Sequence, residues 1–287
     1  MCRFLAYTGT PILIDEVIYQ PKNSLIRQSF QAQEREEPLN GDGFGLGWYA
    51  LDISAEPGVF VSVQPAWHNR NLKSLASKTK VPCFFAHVRA ATVSDVSEAN
   101  CHPFRFGNLL MMHNGDIGGF EKIQRPLRRM LSDETYHWVR GQTDSEHFFA
   151  LFIDCLKKQG EPTDCEAMYL ALKDAINVIS ELQERFKISE ASYLNFAVTD
   201  GKNMVAVRST TDKKLYADTL YYSEGTRYQC KDGVCTMLHS GTKEKSVLVV
   251  SEKLTEIKED WLEVPVNNAV LIDEKLNISI KEFNPLA

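Results

Sequence analysis

The sequence predicts an α+β fold with two packed sheets flanked by helices. Strand-like segments occupy the first and last thirds of the chain, and three helix-like segments lie between them. A parallel α/β sheet would instead alternate strands and helices along the chain. Because no internal repeat, low-complexity stretch or linker divides the 287 residues, we expect a single domain over 1–287.

The first third contains apolar runs bounded by Gly, Pro and polar residues, which is the pattern of strands and turns. The predicted strands lie at 2–8, from Phe44 onward, and at 58–66, 82–90 and 106–112. A short helix is predicted at 69–77, and a helix or extended loop at 25–33. The last strand runs into His113-Asn114-Gly115-Asp116, whose Asn-Gly pair predicts a turn.

The middle of the chain has apolar residues at helical spacing. The predicted helices lie at 120–131, 144–158 and 164–186. Thr143 precedes the second helix and Glu146 follows three residues later, which is the pattern of a capping box. The last third returns to strands, which are predicted at 192–199, 204–209, 215–223, 246–250, 269–273 and 277–283.

The composition is that of an ordinary globular protein, with 44% apolar and 24% charged residues. A net charge of −6 argues against nucleic acid as the partner, because phosphate binding needs a basic face. The chain has no apolar run long enough to span a membrane and no secretory signal at its start. We therefore expect a cytoplasmic protein that binds a small molecule and neither membrane nor nucleic acid.

The seven cysteines predict no disulfide framework, because their number is odd and their spacing is not tight. Cys230 and Cys235 lie near His239, but no second pair of Cys or His accompanies them at ligand spacing. Free thiols and no metal site are therefore expected at this place.

Glycines recur at every second position from Gly41 to Gly47. On a strand, residues at this spacing share one face, and a face without side chains lets another layer or a ligand approach the backbone. A phosphate-binding loop would need a helix or a Gly-Lys-Ser/Thr sequence next, and neither follows. The glycines therefore predict close approach to the backbone and not a nucleotide site.

Cys2 is the strongest candidate for catalysis because of its position. If Met1 is removed, one residue carries both a thiol and a free α-amine. Their reference pKa values, about 8.5 and about 7.7–8.0, are close enough for the amine to accept the thiol proton near neutral pH. The alternative is that Cys2 is an apolar residue at the start of a strand.

Three further polar clusters follow predicted strands or begin a predicted helix. Arg89, with Thr92 nearby, offers a planar fork for a carboxylate. Asn114 and Gly115 offer a side-chain amide and a backbone N–H for an oxyanion. Asp144 offers a negative charge for an ammonium group. Each cluster also has a structural alternative. Arg89 alone fits a surface ion pair, Asn114-Gly115 alone fits a turn, and Asp144 alone fits a favourable charge at the start of a helix. Together with Cys2 they predict attack on an acyl group carried by the side chain of an amino acid.

At these positions the chain resembles the class II glutamine amidotransferases. The matching segments, in the order of the family, are Met1-Cys2-Arg3-Phe4-Leu5, Asn40-Gly41-Asp42-Gly43-Phe44-Gly45-Leu46-Gly47-Trp48, Ala86-His87-Val88-Arg89-Ala90-Ala91-Thr92, Asn100-Cys101-His102-Pro103-Phe104, His113-Asn114-Gly115 and Thr143-Asp144-Ser145-Glu146. The resemblance implies the four-layer αββα sandwich of the N-terminal-nucleophile hydrolases. Because no room is left for a synthase domain, the chain is most similar to the stand-alone subgroup, which acts as γ-glutamyl hydrolases.

The resemblance also implies roles for matching residues. Cys2 is the expected nucleophile, and Asn114 and Gly115 are the expected oxyanion hole. The expected substrate-binding residues are Arg89, Thr92, His113 and Asp144. Asn100 and His102 match a segment near the family's site without an assigned role, and a structural role is expected for His102. No metal or organic cofactor is expected.

The predicted function is hydrolysis of a γ-glutamyl amide bond, in glutamine or in a γ-glutamyl peptide or thiol conjugate, through a γ-glutamyl thioester on Cys2. One alternative is a glutaminase subunit that supplies ammonia to a separate synthase partner. A second is a non-catalytic binding module on the same fold, against which the intact Cys2, Arg89, Asn114-Gly115 and Asp144 argue. A self-processing peptidase would carry a propeptide before its nucleophile, where this chain has only Met1.

Overall fold

The computed structural model describes residues 2–34, 39–90, 95–160, 163–212, 214, 216–231 and 233–284. In chain order the strands are β1 (Arg3–Leu13), β2 (Phe44–Tyr49), β3 (Gly58–Ser62), β4 (Lys80–Val88), β5 (Phe104–Phe106), β6 (Leu109–Asp116), β7 (Tyr193–Thr199), β8 (Met204–Thr210), β9 (Tyr221–Gly225), β10 (Arg227–Lys231), β11 (Val234–Leu238), β12 (Ser246–Val250), β13 (Leu262–Glu263), β14 (Asn268–Ile272) and β15 (Ile278–Glu282). The helices are α1 (Ile14–Ile18), α2 (Leu25–Gln31), α3 (Arg70–Ala76), α4 (Phe120–Arg128), α5 (Asp133–Trp138), α6 (Asp144–Gln159) and α7 (Cys165–Arg185). The predicted order of strands, helices and strands is therefore confirmed.

The chain forms two compact units. Unit one comprises Met1–Met112, Thr199–Lys202 and Thr219–Val264. Unit two comprises His113–Val198, Asn203–Asp218 and Pro265–Ala287. The expectation of a single functional domain over 1–287 stays a prediction.

Unit one is built on a seven-stranded sheet in the order β13-β9-β12-β1-β4-β2-β3. Its central strand β1 is antiparallel to both β12 and β4. The strand is central because most of its side chains are apolar and can be buried on both faces; Leu5 and Tyr7 have no exposed surface. Arg3 at the start of β1 lies opposite Val88 at the end of β4. The register therefore brings Cys2 and Arg89 to the same end of the sheet.

The second sheet has the order β15-β14-β8-β7-β6-β5. Strand β6 carries the chain from unit one into unit two at His113. In unit two, α6 and α7 pack against each other. The buried side chains of these two helices include Phe148, Phe152, Met168, Leu172 and Ile176, and their burial stabilises the helix pair.

Two predicted features are wrong, and one predicted strand begins later than expected. The predicted turn at His113-Asn114-Gly115-Asp116 lies inside strand β6, because pairing in the sheet outweighs the local turn preference of Asn-Gly. The predicted free thiols of Cys230 and Cys235 form a disulfide instead. The two cysteines lie directly opposite each other in the β10–β11 hairpin, and neither strand of this hairpin was predicted. The strand predicted at 215–223 begins later, at Tyr221.

The prediction of close approach over the glycine face is confirmed for two glycines of β2. A Cβ atom added to Gly45 would lie 2.0 Å from the carbonyl oxygen of His102. A Cβ added to Gly47 would lie 2.7 Å from a methyl carbon of Leu110. Both distances are below van der Waals contact, so the backbone at His102 and the side chain of Leu110 pack directly on the bare backbone of β2.

The part of the chain that the structure describes shows neither a metal-binding cluster nor a membrane-spanning helix. No group of three or more His, Cys, Asp or Glu side chains in the described ranges has the arrangement needed to hold a metal ion. Within the same ranges, every helix is too short or too polar to cross a membrane.

Candidate active site

Cys2 lies immediately before β1, half-buried and with a free thiol. The backbone N–H of Ala90 donates a hydrogen bond to its Sγ atom over 3.4 Å. Burial raises the pKa of the Cys2 thiol, while the Ala90 N–H and the positive charges of Arg89 and Arg3 act in the opposite direction. The Ala90 N–H and the two guanidinium groups favour the thiolate form of Cys2, and all three lie in unit one.

The segment Asp42–Gly43 holds the backbone of Arg89 beside Cys2. Arg89 N–H donates to the Gly43 carbonyl oxygen at 2.8 Å, and Asp42 N–H donates to the Arg89 carbonyl oxygen at 3.0 Å. Gly43 has a φ of +119°, and an added Cβ would lie 2.8 Å from both Cys101 Sγ and the Ser62 carbonyl oxygen. Only glycine fits this position without strain, so Gly43, the last residue of the Asn40-Gly41-Asp42-Gly43 segment, helps to position Arg89.

The side chain of Arg89 is almost fully buried. Its two terminal nitrogens each donate to the carbonyl oxygen of Asp95 at 3.3 Å. Asn100, which had no assigned role, donates to the same oxygen through Nδ2 at 2.9 Å. Arg89 and Asn100 therefore hold the chain at Asp95. The predicted substrate-binding residue Thr92 lies outside the described residues.

In unit two, His113 is buried within β6 with both ring nitrogens in hydrogen bonds. Nδ1 lies 2.8 Å from Ser145 Oγ, and Nε2 lies 3.1 Å from the Tyr193 carbonyl oxygen. A carbonyl only accepts, so Nε2 carries the proton and Nδ1 accepts from the serine hydroxyl. Burial lowers the pKa of His113, against the raising effect of Asp144. The neutral ring links β6 to both β7 and α6.

Asn114 and Gly115 continue β6 directly after His113. Asn114 is buried. Gly115 has a φ of +131°, and an added Cβ would lie 1.9 Å from the Tyr193 carbonyl oxygen. Glycine is therefore required at position 115 both by its backbone conformation and by the closeness of β7.

Asp144 is the first residue of α6 and joins this helix to the segment that follows β6. Its Oδ2 accepts from Ile117 N–H at 2.8 Å, and its Oδ1 accepts from Ser145 N–H at 2.7 Å. Asp116 lies close by, and its pKa is raised first by burial and then by the negative charges of Asp144 and Asp218. The structure thus brings His113, Asn114, Gly115 and Asp144 together within unit two, in an acidic environment.

The cap of α6 matches the prediction in part. Thr143 Oγ1 accepts from Glu146 N–H at 3.2 Å, as a capping box requires. The Glu146 carboxylate, however, accepts from the N–H groups of Arg140 and Gly141 at 2.8 and 2.6 Å. It therefore fixes the loop that leads into the helix.

Several residues that support these groups were not predicted from the sequence. Arg3 contacts Cys2 and pairs with Glu252, and Ser145 and Tyr193 hold His113. The position of Glu252 was a usable signal, because this residue follows the predicted strand at 246–250. Arg89 likewise lies at the end of the predicted strand at 82–90. Asp116 was also visible, as the last residue of the motif His113-Asn114-Gly115-Asp116.

Several known proteins are similar to this chain. The sequence profile described as "Glutamine amidotransferases class-II" matches residues 19–279. The probable glutamine amidotransferase DUG3 of Saccharomyces cerevisiae is 39% identical over 294 residues, which cover 96% of this chain and 82% of that protein. The gamma-glutamyl-hercynylcysteine sulfoxide hydrolase of Mycobacterium tuberculosis is 32% identical over 119 residues, or 41% of this chain and 50% of that protein.

A solved structure is also similar over the full length. The glutamine aminotransferase class-II domain protein from Silicibacter pomeroyi has 27% sequence identity and a TM-score of 0.69, and the match covers 100% of both chains. The predicted α+β fold of the N-terminal-nucleophile type and the predicted family resemblance are confirmed. The chain therefore belongs to the class-II glutamine amidotransferases, a family of amidohydrolase enzymes.

Proposed function

We propose that this enzyme hydrolyses a γ-glutamyl amide bond with Cys2 as its nucleophile. The observation that carries the proposal is the pairing of Cys2 and Arg89–Ala90 at one end of the unit-one sheet, where Ala90 N–H lies 3.4 Å from Cys2 Sγ. A thiol next to a buried guanidinium suits a substrate that carries both an acyl group and a carboxylate. The γ-glutamyl group has both.

The proposed reaction has two stages. After removal of Met1, the α-amine of Cys2 accepts the thiol proton and Sγ attacks the γ-carbonyl carbon. The tetrahedral intermediate collapses, the C–N bond breaks, and the protonated α-amine gives its proton to the leaving amine. Water then attacks the γ-glutamyl thioester, which releases glutamate and restores the thiol. Every proton is moved by groups of Cys2, the substrate or water, and no metal is needed.

The remaining predicted residues keep their roles within this proposal. Asn114 and Gly115 would stabilise the oxyanion, and Asp144 would bind the substrate ammonium group in an environment that Asp116 makes more negative. Arg89 would bind the α-carboxylate, and Thr92 is proposed as a further substrate ligand. For His113, the predicted substrate ligand, the bonds of both ring nitrogens favour positioning of the neighbouring Asn114-Gly115 pair.

The relatives favour two kinds of leaving group. The yeast relative, at 39% identity, is named as a probable glutamine amidotransferase, which favours glutamine and release of ammonia. Transfer of that ammonia to a synthase partner is the second candidate function. The mycobacterial relative, named as a hydrolase of gamma-glutamyl-hercynylcysteine sulfoxide, favours a larger γ-glutamyl thiol conjugate. Both kinds of substrate present the same α-carboxylate and α-ammonium groups.

The test is glutamate release from glutamine, glutathione and other γ-glutamyl amides by three proteins. Wild type and Cys165→Ala should be equally active, since Cys165 lies on α7 in unit two and has no role in the proposed reaction. Cys2→Ala should lose about a thousandfold or more of the activity, because the nucleophile is absent. Equal glutamate release by wild type and Cys2→Ala would exclude the proposal. Intact-mass spectrometry of the wild type should show that Met1 is absent.

A further inference from the structure

The residue after the candidate nucleophile carries a buried charge that makes two contacts. Arg3 is 3% exposed. Its Nε lies 2.7 Å from Glu252 Oε1, and its Nη1 donates to the carbonyl oxygen of Cys2 at 2.9 Å. The planar guanidinium thus joins the Cys2 backbone to Glu252 in a fixed geometry.

Glu252 is itself fully buried, and both of its carboxylate oxygens accept hydrogen bonds. Besides Arg3, its Oε1 accepts from Glu34 N–H at 3.3 Å. Its Oε2 accepts from Gln33 N–H at 3.1 Å and from Asn23 Nδ2 at 3.4 Å. A buried carboxylate with this number of donors has little freedom to move. It is therefore a rigid anchor for Arg3.

Ser251, which lies between β12 and Glu252, adds a second attachment to the start of β1. Phe4 N–H donates to Ser251 Oγ at 3.0 Å, and Ser251 N–H donates to the Phe4 carbonyl oxygen at 3.1 Å. The backbone on both sides of Arg3 is thus held: Phe4 by Ser251, and Cys2 by Arg3 itself. A residue at the end of a chain is normally among the most mobile. Here the carbonyl group of Cys2 is fixed by a side chain that cannot itself move freely.

This restraint matters for the proposed reaction. An N-terminal nucleophile carries its thiol and its base on one Cα atom, so a fixed carbonyl group restricts where both can lie. Catalytic groups must be held to within about 0.5 Å of their productive positions. A displacement of about 1 Å lowers the rate by about a hundredfold.

We propose that Arg3 and Glu252 are positioning residues for the Cys2 nucleophile, with Glu252 holding the Arg3 guanidinium that fixes the Cys2 backbone. This inference rests on the proposed function of Cys2. Neither residue touches the substrate in this scheme, and neither takes part in proton transfer. Their effect is on the reactivity of Cys2 and on kcat, and not on substrate binding.

The first test measures Cys2 reactivity without substrate. Iodoacetamide alkylation of Cys2 is followed by peptide mass spectrometry between about pH 6 and pH 10 in wild type, Arg3→Gln, Arg3→Lys and Glu252→Gln. Arg3→Gln should slow alkylation at neutral pH about tenfold and move its midpoint to higher pH, because the thiolate loses a neighbouring cation. Glu252→Gln keeps the Arg3 cation and removes a negative charge, so its midpoint should not move to higher pH, and its defect should appear in kcat. Arg3→Lys should recover part of the rate, because it keeps the charge but not the fork.

The matched control is Asp260→Asn. Asp260 is another buried carboxylate of unit one, which accepts from Thr236 Oγ1 at 2.9 Å and Met237 N–H at 3.0 Å. It has no hydrogen bond with Arg3 or Cys2 among those that the structure describes. This variant should lose stability without a change in Cys2 alkylation, which separates positioning from a general loss of stability.

The second test is steady-state glutamate release. Arg3→Gln and Glu252→Gln should lower kcat about tenfold or more and leave KM within about twofold of wild type. Wild-type alkylation profiles and wild-type kcat in both variants would overturn the inference. If Glu252→Gln does not fold, Arg3→Lys decides, because an alkylation rate equal to that of wild type would also overturn it. Equal activity of wild type and Cys2→Ala would instead overturn the proposed function. The alkylation profile does not depend on that result, because alkylation is measured without substrate.

Discussion

At the scale of single residues, Gly115 has the most restricted position in the candidate site. We predict that Gly115→Ala lowers the free energy of unfolding by about 3 kcal/mol, because alanine is strained at positive φ and its Cβ would meet the Tyr193 carbonyl oxygen. Glutamate release by the folded fraction should fall about a hundredfold or more, since β6 must move to relieve the clash. Urea unfolding and the glutamate assay measure the two effects.

Gly241→Ala is the control for this prediction. A Cβ added at Gly241 meets no atom within 4 Å, so this variant should unfold at the same urea concentration as wild type and keep its activity. Wild-type stability and activity in Gly115→Ala would show that the close approach of β7 does not constrain position 115.

The same scale shows what the sequence alone can reveal. Cys2, Arg89, Asn114 and Asp144 could be proposed as site residues because each lies next to the end of a predicted strand or at the start of a predicted helix, where polar side chains interrupt an apolar pattern. Glu252 could not be linked to Cys2 in this way, because Arg3 and Glu252 are 249 positions apart in the chain. Pattern and local spacing carry no information about which distant residues meet.

At the scale of the element, the start of α6 connects stability with the candidate site. Thr143 is the N-cap of the helix and Asp144 its first residue. We predict that Thr143→Ala lowers the free energy of unfolding by about 1 kcal/mol through loss of the cap. It should also reduce glutamate release, because the first turn of α6 holds Asp144 and Ser145 in place. Thermal unfolding and steady-state kinetics measure these effects.

The control removes a cap from the neighbouring helix. Asp164 is the N-cap of α7 and accepts from Ala167 N–H at 2.9 Å. Asp164→Ala should cost about 1 kcal/mol as well, without a change in kcat or KM. If the two variants had the same effect on activity, the loss in Thr143→Ala would reflect stability alone.

Elements with strong local signals were predicted well, and those that depend on distant partners were not. The helices α6 and α7 have long apolar stripes and capped N-termini, so their positions follow from spacing and capping residues. The hairpin β10–β11 is short and partly exposed, with no long apolar run to mark it. Its disulfide was missed because spacing alone does not distinguish a cross-strand pair from two free thiols.

At the scale of the whole molecule, the fold class could be predicted but not the order of its strands. The sequence of strands, helices and strands indicates an α+β protein, and the ordered motifs indicate the family. The neighbours of β1 in the sheet are β12 and β4. β12 begins more than 200 residues after β1 ends, and such pairings are decided by packing of the complete core, which a local pattern does not contain.

The stability of the whole molecule should depend on pH through two buried histidines of unit two. Burial lowers the pKa of both His113 and His147 from an ordinary value of 6.5. Below that value the unfolded chain binds protons that the folded chain does not, so the free energy of unfolding should decrease as the pH falls from 6.5. Above it both states are neutral at these sites and the contribution is constant.

His147 isolates this effect, because its Nδ1 donates to the Thr143 carbonyl oxygen at 2.7 Å and asparagine can keep that bond. We predict that His147→Asn makes the decrease between about pH 6.5 and pH 5 shallower, by up to about 1.4 kcal/mol per pH unit. His239→Asn is the surface control, because His239 is exposed. Because wild type and variant share their carboxylates, including Asp144 and Glu146, the difference between their urea-unfolding curves reports the histidine alone. Equal slopes in wild type and His147→Asn would mean that His147 is protonated in the folded protein as readily as in the unfolded chain.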